Sequence, residues 1–106
     1  MKKLPGTQDD STKYIEQALT ATGFTKVDAY RKNPAVIHVR IIDQRFLNMS
    51  DCERDDMVSP YLDQLPREVR DAITYLLMLA PAEIVAMPKL TRRIVANVEF
   101  EGLVDE

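Results

Sequence analysis

At 106 residues, with 45% apolar and 29% charged side chains, the chain has the make-up of one globular domain that buries roughly 65% of its unfolded surface. Its only cysteine is Cys52 and its net charge is −3, which excludes an intramolecular disulfide, fits a reducing cytoplasm and argues against nonspecific binding to phosphates. No run approaches the roughly 18 apolar residues of a membrane span, and MKKLPGTQDD has no apolar signal core.

Residues 1–10 are polar, include Pro5 and Gly6 and show no period, so they read as a flexible leader. From Ser11 or Thr12, the positions Tyr14, Ile15, Ala18, Leu19 and Thr22 follow helical spacing, and Gly23 stands where a helix end favours a left-handed residue. Phe24 to Lys32 and Ala35 to Asp43 read as two strands separated by Asn33-Pro34, a pair that favours a turn and cannot continue a ladder. The period of two puts Ile37, Val39 and Ile41 on one face of the second strand, the natural core side. Val36, His38, Arg40 and Ile42 share the other, a mixed face expected to be partly exposed.

Ser50 and Glu53 have the spacing of a capping box, opening a helix whose buried stripe is Val58, Tyr61, Leu62 and Leu65. Pro60 predicts a kink or break near Val58–Ser59, because it removes a helical hydrogen bond and crowds the preceding turn. Pro66 begins a further helical turn, Arg67 to Asp71. Ile73 to Leu79 is apolar at nearly every position, so periodicity alone leaves both a strand and a helix running from Pro66 to Leu79 open. The strand is favoured, since a strand-helix-strand crossover returns the chain beside the second strand. A short helix, Ala82 to Ala86, follows Pro81, and from about residue 88 an extension carries Ile94, Val95, Val98 and Phe100, apolar groups with something to pack on.

Several of these segments resemble the BolA family, a small α/β domain related to type II KH modules. Ile42-Asp43-Gln44-Arg45-Phe46 is similar to its strand end, Ser50 with Arg54 and Val58 to its helix start, and Pro81-Ala82-Glu83 to its Thr-Pro-Glu-Glu segment. Ala29-Tyr30-Arg31 and Val39-Arg40-Ile41-Ile42-Asp43 also resemble a set of small bacterial proteins of uncharacterised role. The likeness implies an α+β domain with a three-stranded mixed sheet and helices on one face, in the order helix-strand-strand-helix-helix-strand-helix, over residues 11–106. In the BolA family it also implies an iron–sulfur cluster shared with a glutaredoxin. Here the ligand position at the third strand aligns with Ala72, and Arg31-Lys32-Asn33-Pro34 occupies the hairpin loop, so no cofactor is expected and a glutaredoxin partner is disfavoured. No GxxG loop of the KH type occurs.

Candidate chemistry is sparse. His38 is the sole histidine, which excludes a multi-His metal site, and among apolar strand neighbours it reads as a packing residue. Cys52 lies among Asp51, Glu53 and Asp55, which oppose a thiolate, and with Asp56 these acids read as a solvated helix start rather than a metal site. No catalytic residue stands out. The positive feature is a possible basic and aromatic surface of Tyr30, Arg31, Lys32, His38, Arg40, Arg45 and Tyr75, with Lys26, Lys89, Arg92 and Arg93 nearby in sequence. The alternative is a sheet face covered by the C-terminal segment. The expectation is a non-enzymatic cytoplasmic protein-interaction module, pairing with a partner protein or a second copy. An RNA- or DNA-binding regulator using this surface is the alternative, and a BolA-type glutaredoxin partner a second one.

Overall fold

The computed structural model describes residues 6–85 together with 97 and 100. In chain order the elements are α1 (Asp10–Ala21), β1 (Lys26–Asn33), β2 (Val36–Ile42), a 3-10 turn (Gln44–Phe46), α2 (Asp51–Leu62), α3 (Arg67–Ala72), β3 (Ile73–Leu79) and α4 (Pro81–Val85). The strands form one mixed sheet in the order β1-β2-β3, with β1 antiparallel and β3 parallel to β2. This is the α+β architecture expected, and residues 73–79 are a strand. The helical alternative stops at Ala72, where Ile73 turns extended.

The signals that set the boundaries are local. Gly23 takes a left-handed φ of 110° just after α1. Ser50 accepts the Glu53 amide and Glu53 accepts the Ser50 amide, closing the capping box of α2. At Pro60 the expected break does not occur, and α2 continues to Leu62. The carbonyl that Pro60 leaves unserved belongs to Asp56, an exposed residue whose backbone water can reach.

The expected leader needs a larger correction. Residues 1–5 lie outside the described residues, but residues 6–10 are tied to the sheet. Thr7 bridges Arg31 through both backbone groups, at 3.2 and 2.7 Å. Gln8 donates to the Ala29 carbonyl, and Glu16 accepts the Ala29 N–H. The outward edge of β1 is thereby closed against strand addition. Gly6 lies so close to the Arg31 backbone and the Tyr30 ring that a Cβ there would stand 2.4 Å from the Arg31 oxygen. Asp9 caps α1 in a reciprocal pair with Thr12, so the helix starts at Asp10, one or two residues earlier than the apolar spacing indicates.

The sheet has two unlike faces. On the first, Ile37, Val39 and Ile41 are fully buried beneath Ile15 and Leu19 of α1 and Val58 and Leu62 of α2, with Phe24 and Phe46 at one end. Val69 and Ala72 of α3 pack at its margin. Each such side chain stabilises by roughly 1.5–3 kcal/mol on burial. The second face carries a smaller cluster of Tyr30, Ile42, Leu77, Leu79 and Phe100, with Ile84 of α4 packed against it.

Candidate docking surface

The register assembles the second face from all three strands. Tyr30 pairs with His38, and His38 with Tyr75; Asp28 pairs with Arg40, and Arg40 with Leu77. Tyr75 reaches this side because the pairing skips Thr74 between Ile73 and Tyr75. Three rings therefore run across the sheet. Tyr30 and His38 have centroids 5.3 Å apart, as do His38 and Tyr75. Tyr30 is wholly buried, His38 partly buried and Tyr75 36% exposed. The Tyr30 hydroxyl lies 3.0 Å from His38 Nδ1. Burial, aided by the charge of Lys32, pushes the imidazole below its ordinary pKa, so it is neutral at pH 7.

Arg40 sits beside this row and is only 2% exposed. Asp28 accepts from its Nε at 2.9 Å and also from Nη2, while Nη1 donates to Asn97 Oδ1 at 2.7 Å. The guanidinium also lies against the Phe100 ring, 5.4 Å from its centroid, and Phe100 meets Tyr30 edge to face at 5.3 Å. Arg40 and Tyr30 share one face as expected, and of the two readings, open or covered by the C-terminal segment, it is the covered one at these two residues. Asn97 and Phe100, both helical, lie over it. The other apolar tail residues singled out, Ile94, Val95 and Val98, and the basic Lys89, Arg92 and Arg93 lie outside the described residues.

The remaining candidates are not gathered with this group. Arg31 donates to Asp9 at 2.6 Å and to the Pro34 carbonyl at 2.9 Å, on the β1 edge. Arg45 belongs to the far end of β2, where it chelates Asp43 through Nε and Nη2 at 2.9 and 3.0 Å and stacks over Phe24 at 4.9 Å. Asp43 also accepts the backbone amides of Arg45 and Thr25, and with the Arg45 side chain first among the causes its pKa is lowered to about 2. Lys32 is exposed at the hairpin end and acts on His38 through its charge. The seven candidates thus resolve into a Tyr30–His38–Tyr75–Arg40 group and three outlying cations.

Two further arrangements were not legible in the sequence. Glu16 and Gln8 guard the β1 edge, and burial raises the Glu16 carboxyl above its usual range. More consequential is Arg54, 2% exposed within α2. Its guanidinium forks onto both oxygens of Glu83 at 2.8 and 2.7 Å, donates to the Met78 carbonyl at 2.8 Å and lies 5.8 Å from the Phe46 centroid. Glu83 in turn accepts the Ala80 amide, so one ion pair fastens α2, the end of β3 and the start of α4. Cys52 is exposed and free. Among the described residues no group of three His, Cys, Asp or Glu side chains is placed to hold a metal, and no helix is long and apolar enough to cross a membrane. No family model matches the chain, and neither a curated protein nor a solved structure is similar to it.

Proposed function

We propose that the chain is a non-enzymatic, cytoplasmic protein-interaction module that docks through the second sheet face around His38 and Tyr75. The observation that carries this reading is the aromatic row, half buried and ending in an exposed tyrosine. Aromatic groups held rigid on a sheet offer large contact area at small entropic cost, and they are enriched in interfaces. The cations that a phosphate-binding surface would draw on are engaged by Asp28, Asp9 and Asp43. That weighs against the RNA or DNA reading, which needs charge free to neutralise phosphate. A BolA-like relationship draws support from the element order and from Arg54 meeting Glu83, which joins two of the similar segments. The glutaredoxin role has no comparable support, since Ala72 stands where a ligand is needed.

The test is a photo-crosslinking residue placed at Tyr75 and, as control, at exposed Thr20 on α1. A discrete protein adduct formed at position 75, absent at position 20 and suppressed by Thr74→Glu, is the expected result. Labelling that is equal at both positions, or absent from 75, contradicts the reading. A nuclease-sensitive adduct would replace it with the nucleic-acid one.

A further inference from the structure

β1 is an outer strand of the sheet, and an outer strand offers its outward N–H and C=O groups to any other chain. Here the outward groups of Ala29 and Arg31 are all four engaged. The Thr7 N–H and C=O serve Arg31 as a neighbouring strand would, at 3.2 and 2.7 Å. At Ala29 side chains stand in for the strand. Gln8 donates to the carbonyl at 3.1 Å, and the Glu16 carboxylate accepts the N–H at 2.8 Å. Gln8 also donates to Glu16 at 2.9 Å, so the two side chains form a single rung. Burial raises the Glu16 carboxyl above its usual range, so the charge is held at this edge against its own solvation. Any strand laid over it would have to bury it further.

We propose that residues 6–9 and Glu16 form an edge guard that keeps β1 from pairing with β1 of a second copy of the chain. The inference is independent of the docking reading, which concerns a face of the sheet and not its edge. A second copy is the occupant to guard against because β1 is complementary to itself in charge. A two-fold axis at Tyr30 sets Ala29 opposite the second copy's Arg31, and Asp28 opposite its Lys32. Shifting the pairing by two residues sets Arg31 against Arg31 in one direction and Lys26 against Lys32 in the other. The favoured register uses the same outward groups of Ala29 and Arg31 that the guard occupies. Asp9 fixes where the guard leaves the edge, capping α1 and pairing with Arg31 at 2.6 Å.

The experiment moves the guard aside in the full chain. A Cβ at Gly6 would stand 2.4 Å from the Arg31 oxygen and 2.6 Å from the Tyr30 ring, so Gly6→Val forces this segment off the edge. Glu16→Ala removes the charge. Sedimentation equilibrium of Gly6→Val/Glu16→Ala, over the roughly micromolar to millimolar range, is expected to show about twice the mass of the unaltered chain. Hydrogen exchange should find the Ala29 and Arg31 amides unprotected in the dilute variant and protected again as concentration rises. Glu16→Gln alone, which keeps an oxygen acceptor for Ala29, should stay at the unaltered mass. Should the double variant fail to fold, Thr7→Pro/Glu16→Ala removes one backbone donor instead and gives the same direction. A folded double variant that keeps the unaltered mass, association that leaves these two amides unprotected, or equal association by Glu16→Gln overturns the proposal.

Discussion

The two faces of the sheet are closed by matching chemistry and opposite construction. Each has a buried arginine against a phenylalanine and an acid: Arg54 with Phe46 and Glu83 on one side, Arg40 with Phe100 and Asp28 on the other. On the first side the trio is locked among α2, the end of β3 and α4, and Phe46 stacks near Phe24 while Tyr61 meets Phe24 edge to face at 5.7 Å. On the second, Phe100 and Asn97 are laid over a finished sheet. The same residue types therefore make a joint between helices and a strand end in one place and a joint laid across the strands in the other.

Arg54 should be the most expensive residue to alter. Arg54→Ala leaves Glu83 and the Met78 carbonyl without their partner in a buried setting, and breaking such a pair costs about 3–5 kcal/mol. Urea unfolding checks this, and Glu83→Gln should fall between the variant and the unaltered chain. The two phenylalanines sharpen the contrast. Phe46→Ala opens a closed cavity and should cost about 3–5 kcal/mol, while Phe100→Ala exposes a face that water can fill and should cost about 2 kcal/mol. Equal losses would erase the distinction between the faces.

Acid probes a third joint. Asp43 ionises at about 2 in the folded chain against an ordinary 3.8. The unfolded chain thus binds the proton more tightly, and the joint's stability is present above about pH 4 and is lost as pH falls toward 2. Its contribution is at most about 2 kcal/mol, because Arg45 is half exposed and screened. Asp43→Asn should abolish that part of the acid dependence in urea titrations repeated between about pH 5 and 2. The smallest effect is expected at Asp9, where Asp9→Ala removes a helix cap worth about 1 kcal/mol and an exposed ion pair with Arg31 worth less.

The elements were readable in the sequence because their signals are local. Gly23, Asn33-Pro34, the Ser50–Glu53 box and the alternation of Ile37, Val39 and Ile41 each act within a few residues. The site was half readable. Period-two spacing put His38 and Arg40 on one face, but nothing near Arg40 reveals that Asn97, 57 residues away, accepts from its guanidinium. Arg54 was singled out only through its likeness to a family's helix start, and nothing near it reveals its acid, 29 residues onward. The anchoring of residues 6–10 was missed because backbone pairing to a sheet edge needs no apolar pattern. Pro60 does not break α2 because it stands within the last turn, where only the exposed Asp56 carbonyl loses its partner.

The central claim is that the cover on the second face releases separately from the core on the first. The chain contains no tryptophan, so Phe100→Trp gives a single reporter seated between Tyr30 and Arg40. Urea titration of that full chain, followed by tryptophan emission and by far-UV circular dichroism together, tests the claim directly. The account predicts an emission midpoint at clearly lower urea than the loss of helix and sheet signal. Coincident transitions would contradict it, placing Phe100 in the same cooperative core as Phe46.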